Sequence, residues 1–202
     1  MQSEAMKSLD AVHVVRAQAT DAARIEQFYL GLSDESRYER FFSHRPSYTR
    51  EELQHLLHPF LANEICLIAL VGDGEDAVMV GDLRCVRVQG DGSATGKQGE
   101  IALVVADAWR RLGVGRLLLC QLLSQARREG YSSLFAYVAP TNVGMLKLIR
   151  EFQFWHEPLA GGAAVRVLRR KLAPAWDDAA WQDQAPCRNI ESRGAAQIAA
   201  TV

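Results

Sequence analysis

Three arginines, Arg110, Arg111 and Arg116, surround two glycines, Gly113 and Gly115, in the stretch WRRLGVGRLLLCQLL. A leucine-rich run follows at once, so the glycines stand where a helix begins. Cations are unfavourable there, each by a few tenths of a kcal/mol, because the positive end of the helix dipole prefers anions. The cost makes sense if a strongly negative ligand is meant to sit at that point. Glycines let such a ligand approach the backbone closely, and the N–H groups of the first helical turn point at it. Diphosphate suits this cradle, since it accepts several N–H bonds and the arginines together. The candidate binding segment is therefore Arg110, Arg111, Leu112, Gly113, Val114, Gly115 and Arg116. A Walker loop would need Gly-Lys-Ser/Thr where Arg116-Leu117 stands. A dinucleotide fingerprint would need Gly or Ala where Leu118 stands. The same residues also suit an ordinary strand-to-helix turn with exposed arginines.

Other reactive side chains form no constellation. Cys66, Cys85, Cys120 and Cys187 are far apart and make no CxxC pair. They read as the reduced cysteines of a cytoplasmic protein, three of them in apolar, core-like runs. No His/Cys/Asp cluster has metal-ligand spacing, so no metal is expected. His44 and His156 titrate near neutrality but read as surface residues.

The elements that must position the glycine turn follow from periodicity. Residues 11–17 alternate as a strand. Thr20-Asp21 can cap a helix running to Leu30, which Gly31 ends. Ser33 caps a second helix, and Thr49 with Glu52 makes a capping box for a third. Residues 64–72 and 77–88 read as a hairpin joined by GDGED. A loop over QGDGSATGKQG leads to a buried strand at 100–107. The next helix carries Leu112, Leu117, Leu118, Leu119, Leu122, Leu123 and Ala126 on a wide apolar face, with Arg127 and Arg128 in its last turn and Gly130 beyond it. A strand SSLFAYVAP, a helix started by Thr141 or Asn142, and two strands linked by AGGA complete an α/β domain around one mixed sheet.

The domain spans 10–172, between a flexible N-terminus (1–9) and a C-terminal tail (173–202). The tail has two prolines, no clean period, and Trp176 and Trp181; 173–183 is expected to pack and 187–202 to be mobile. A chain of 202 residues with 49% hydrophobic residues can bury a core. A net charge of −1 supplies no global field for nucleic acid or membrane. No apolar run reaches membrane-spanning length, and the first ten residues lack the apolar segment of a secretory signal. The expectation is a cytoplasmic monomer or homodimer.

The turn RRLGVG resembles the Q/R-x-x-G-x-G/A signature of the GNAT acetyltransferases, with Arg110 in the first position. APTNVGMLKLIREFQF is similar to that family's strand-asparagine-helix segment, with Asn142 in the asparagine position. LSDESRYERFFS (32–43) resembles a segment of the catalytic domain in bacterial Pat-type protein lysine acetyltransferases. Helix amphipathicity explains its aromatics but not the full string. The resemblance implies a GNAT-like mixed, mostly antiparallel sheet flanked by helices. It also implies acetyl-CoA as co-substrate, with the diphosphate on 110–116. The pantetheine arm would lie along the backbone of Val104 and Val105 as an added strand would.

Acetyl transfer to an amine needs a neutral nitrogen, and a lysine is neutral only about one part in a thousand near pH 7.4. A positioned base helps. The resemblance points to Glu100, which matches the acidic residue of Pat-type strands; Asp82 on the preceding strand is the second candidate, and the alternative reading makes it a turn-adjacent surface carboxylate. Many relatives place a tyrosine seven residues after the asparagine to protonate the leaving thiolate. Here Ile149 stands there, and Gln153 replaces a familiar glycine. A protein lysine is the first acceptor implied, a small amine the second, and a non-catalytic acetyl-CoA-binding or interaction module the alternative from another class.

Overall fold

A computed structural model describes residues 8–42, 64–88, 96–157, 165–173, 177 and 187. Among the described residues the seven strands are β1 (Val12–Arg16), β2 (Glu64–Val71), β3 (Val78–Val88), β4 (Lys97–Val105), β5 (Tyr131–Val138), β6 (Trp155–Glu157) and β7 (Arg166–Lys171). They form one sheet in the order β1-β2-β3-β4-β5-β7-β6. The described helices are α1 (Ala22–Leu30), α2 (Asp34–Phe41), α3 (Val114–Arg128) and α4 (Val143–Glu151). The helix expected from Thr49 lies outside the described residues. None of the described helices is long and apolar enough to cross a membrane.

The chain divides into two compact units, Met1–Leu83 with Leu103–Leu118, and Arg84–Ala102 with Leu119–Val202. In the first unit, β1 and β2 pair antiparallel from Val12↔Val71 to Arg16↔Leu67. The turn after β2 uses two left-handed glycines, Gly72 (φ 84°) and Gly74 (φ 66°), as turn chemistry demands. Successive side chains of β3 point to opposite faces. Gly81 lies under Val114 and Leu118 of α3, whereas Asp82 accepts a hydrogen bond from Tyr29 of α1 at 2.7 Å. Tyr29, Phe28 and Ile25 join Ile68, Met79 and Val104 in one buried cluster. Asp21 does not cap α1; its carboxylate reaches back to accept from the Gln18 N–H at 2.8 Å, at the start of a preceding single 3₁₀ turn. Ser33 does cap α2, its hydroxyl accepting from the Ser36 N–H at 3.2 Å.

In the second unit, β4 begins at Lys97, earlier than the loop expected there, because its first residues pair with β5. That register is parallel, from Lys97↔Tyr131 to Glu100↔Phe135; β5 and β7 pair antiparallel from Ser133↔Lys171 to Val138↔Arg166. The buried face of α3 holds Leu119, Leu122, Leu123 and Ala126, as the periodicity requires. Leu112 does not belong to it: it precedes the helix and is exposed. The cysteine expectation is also corrected. Cys120 on α3 and Cys187 form a disulfide with Cα atoms 5.5 Å apart, while Cys66 and Cys85 are buried thiols outside any disulfide among the described residues. Cys187 is buried and bonded, so the expected mobile stretch does not begin at 187.

Candidate active site

The glycine turn is built from the first unit. Past β4, Ala106 still donates its N–H to Val80 O of β3 at 2.9 Å. Residues Asp107–Trp109 make one 3₁₀ turn. Arg111 (φ 63°) and Gly113 (φ 95°) then take left-handed conformations and deliver the chain into α3. A Cβ on Gly113 would also meet Leu9 Cδ2 at 3.0 Å, so only glycine suits this position. The helical ladder starts with the Leu117 N–H on Gly113 O at 3.0 Å. The N–H groups of the turn before it have no intrahelical acceptor, which is the anion-binding geometry expected of a helix start. Val114 is buried against Gly81, which pins this end of the helix to β3.

Four side chains that the sequence did not connect with this turn, Ser33, Ser36, Glu39 and Asp107, are gathered at it. Asp107 accepts from Ser36 Oγ at 2.6 Å, from Ser33 Oγ at 3.0 Å and from the Ser33 N–H at 3.1 Å. Arg110 Nη2 donates to Ser36 Oγ at 2.7 Å and to Glu39 Oε2 at 3.1 Å, and its Nε lies 3.4 Å from Asp107 Oδ1. Burial pushes the Asp107 pKa up, but the hydrogen bonds from Ser36 and Ser33 and the nearby Arg110 outweigh it and hold the carboxyl below its ordinary value. At Glu39 burial wins over the Arg110 charge and raises the pKa. Ser33, Ser36 and Glu39 lie in the string 32–43 that helix amphipathicity left unexplained; that excess was the available signal. Arg110 faces α2 through its guanidinium. Arg111 is exposed, and Arg116 is half-buried with a partner of its own. Val104 and Val105 are buried at the end of β4.

Glu100 and Asn142 belong to the second unit. Glu100 is half-buried opposite Phe135. Asn142 caps α4, its Oδ1 accepting from the Met145 N–H at 2.8 Å, which settles the choice between Thr141 and Asn142. Ile149 is wholly buried, so the position where relatives carry a tyrosine is a core position here. Gln153 has φ 57°, the conformation that explains a glycine in relatives. In the first unit, Asp82 is not the surface carboxylate expected: it is 0% exposed and bonded to Tyr29, with the Cys66 Sγ 3.9 Å away. A base must reach its proton, and Asp82 is sealed from solvent. His156 is exposed, as expected, and His44 lies outside the described residues.

A model of the acetyltransferase (GNAT) family matches residues 30–154. The structure is similar to the GNAT domain of S. lividans Pat, at 26% identity and TM-score 0.69, over 80% of this chain and 90% of that one. It shares its fold with a GCN5-related N-acetyltransferase from Kribbella flavida, at 24% identity and TM-score 0.64, over 82% and 100% of the two chains. It also shares it with YncA of Salmonella typhimurium, solved with its cofactor acetyl-CoA, at 20% identity and TM-score 0.59, over 80% and 94%.

Proposed function

The chain belongs to the acetyltransferase (GNAT) family, and from that premise we propose that it moves an acetyl group from acetyl-CoA to a lysine of a protein. The observation that carries the reading is the turn 107–113 with Gly113 held left-handed at the start of α3. In this reading the N–H groups across Arg110–Arg116 hold the diphosphate, with the cations of Arg111 and Arg116 beside it. The pantetheine arm takes the backbone of Val104 and Val105. Its support is that the parallel register ends at Glu100↔Phe135 while β4 continues to Val105. Asn142 is the remaining cofactor contact, through the side-chain amide whose oxygen caps α4. The protein-lysine acceptor is favoured by the string 32–43 and by the likeness to the Pat domain. An acetyl-CoA-dependent reaction favours the cytoplasm, although the Cys120–Cys187 bond is uncommon in a reducing compartment.

Glu100 is the proposed base. It takes the proton from the lysine ammonium, directly or through one water, and the freed amine attacks the thioester carbonyl. The N–C bond forms, the C–S bond breaks, and coenzyme A leaves as its thiolate, which takes up the second proton of the amide nitrogen. A thiol with pKa near 8.5 is a fair leaving group, so Ile149 in place of a tyrosine does not block the reaction. Two measurements test the proposal. Acetyl-CoA at millimolar concentration should raise the melting temperature by mass action, and Gly113→Val should abolish that rise. A panel of acceptors should then show turnover with lysine-bearing proteins and peptides above that with polyamines or amino acids. Turnover of small amines alone would overturn the protein-lysine assignment.

A further inference from the structure

Arg110 occupies the first signature position, yet its Nη2 and Nε are directed at α2 and Asp107. One planar guanidinium reaches Ser36 Oγ, Glu39 Oε2 and Asp107 Oδ1 at 2.7, 3.1 and 3.4 Å. Asp107, three residues earlier, closes on the same helix through Ser33 and Ser36. Ser36 is wholly buried between the two. The chain is thus clamped to α2 just before it enters Arg111, whose φ of 63° is a conformation that a non-glycine residue keeps only where its surroundings over-determine it. The clamp on Arg110 is such a constraint.

We propose that Arg110 and Asp107 are positioning residues: with Ser33, Ser36 and Glu39 they preset the turn 107–113 so that its backbone meets the diphosphate, and the Arg110 side chain does not itself contact the ligand. The inference rests on the reading in which 110–116 hold the diphosphate. It assigns the string 32–43 a task, which is to hold the cofactor turn in shape from a helix far away in sequence. The planar fork serves Ser36 and Glu39 from Nη2 and faces Asp107 with Nε; a lysine also has three donors but all on one nitrogen, so it cannot place them at both positions.

The two roles of Arg110 make opposite predictions. If the guanidinium positions the turn, Arg110→Lys raises KM for acetyl-CoA about tenfold, leaves KM for the amine unchanged and keeps kcat at saturation. Glu39→Gln, which removes a half-buried carboxylate with a raised pKa and so keeps the fold, raises that KM about threefold. If the side chain contacts the diphosphate, a lysine serves nearly as well as a point charge, and Glu39→Gln tightens binding by removing a competing anion. Arg110→Lys within twofold of wild type, or tighter binding by Glu39→Gln, overturns the proposal. Gly113→Val is the control for the reading beneath it: unchanged acetyl-CoA binding in that variant means that the turn is not the diphosphate site, and both fail together.

Discussion

Gly81→Ala adds one methyl group at the place where α3 touches β3. The new Cβ would lie 3.0 Å from Leu118 Cδ1, 3.2 Å from Val114 Cγ1 and 3.4 Å from Ala69 Cβ. The first two are closer than an ordinary contact, and Leu118 and Val114 are too deeply buried to swing aside. Overpacking of this kind costs about 1–3 kcal/mol. Replacing glycine in a strand returns about 0.5–1 kcal/mol. The net loss is then about 1–2 kcal/mol, which lowers the melting temperature of a domain this size by roughly 2–8 °C. Because Val114 opens α3, relief comes by lifting the helix start a few tenths of an ångström, and acetyl-CoA affinity should fall about threefold. Thermal melts with and without acetyl-CoA measure both effects. Gly144→Ala, the same change in α4 with nothing nearer than Asn142 Oδ1 at 3.8 Å, should be stabilising by up to about 1 kcal/mol. If Gly81→Ala melts at or above wild type, close approach of α3 to β3 is not what glycine provides.

Gln153→Gly relieves a left-handed side chain and should stabilise by about 1 kcal/mol; a lower melting temperature would contradict this. Cys187→Ser opens a loop spanning a separation of 67 residues, worth about 4 kcal/mol of chain entropy; the loss should appear without reductant and vanish with dithiothreitol, and coincident oxidised melts would refute it. Asp107 titrates below its ordinary 3.8 in the fold, so its contribution is present above that value and lost as pH falls below it. Asp107→Asn should flatten this acid limb of stability, and an unchanged limb would contradict the clamp. Glu39 has the opposite sign: its pKa is raised above 4.5, so its contribution fades as pH rises through that range, and Glu39→Gln should remove this second slope.

The sheet, the face of α3 and the glycine turn were legible in the sequence because each is written in local periodicity or turn chemistry. Leu112 was misplaced because the helical period was extended back across a turn whose Gly113 starts the helix only at Val114. The clamp was not legible, since Ser36 and Asp107 are 71 residues apart and no local pattern pairs them. The Cys120–Cys187 bond was missed for the same reason: cysteines far apart and without a CxxC pair read as reduced, and no local pattern joins two that lie 67 residues apart. Asp82 could have been placed better. It sits inside VMVGDLRCV, a run too apolar to be a surface strand, and a carboxylate there needs a buried partner such as the Tyr29 hydroxyl.

Base-assisted transfer of acetyl from acetyl-CoA to an amine stands or falls with Glu100→Gln in a steady-state assay with a lysine acceptor. The substitution keeps size and polarity but cannot take a proton. The kcat should fall about 100-fold near pH 7.5, with the acetyl-CoA melting shift intact. A kcat within threefold of wild type would show that Glu100 is a strand-end charge with no part in the chemistry.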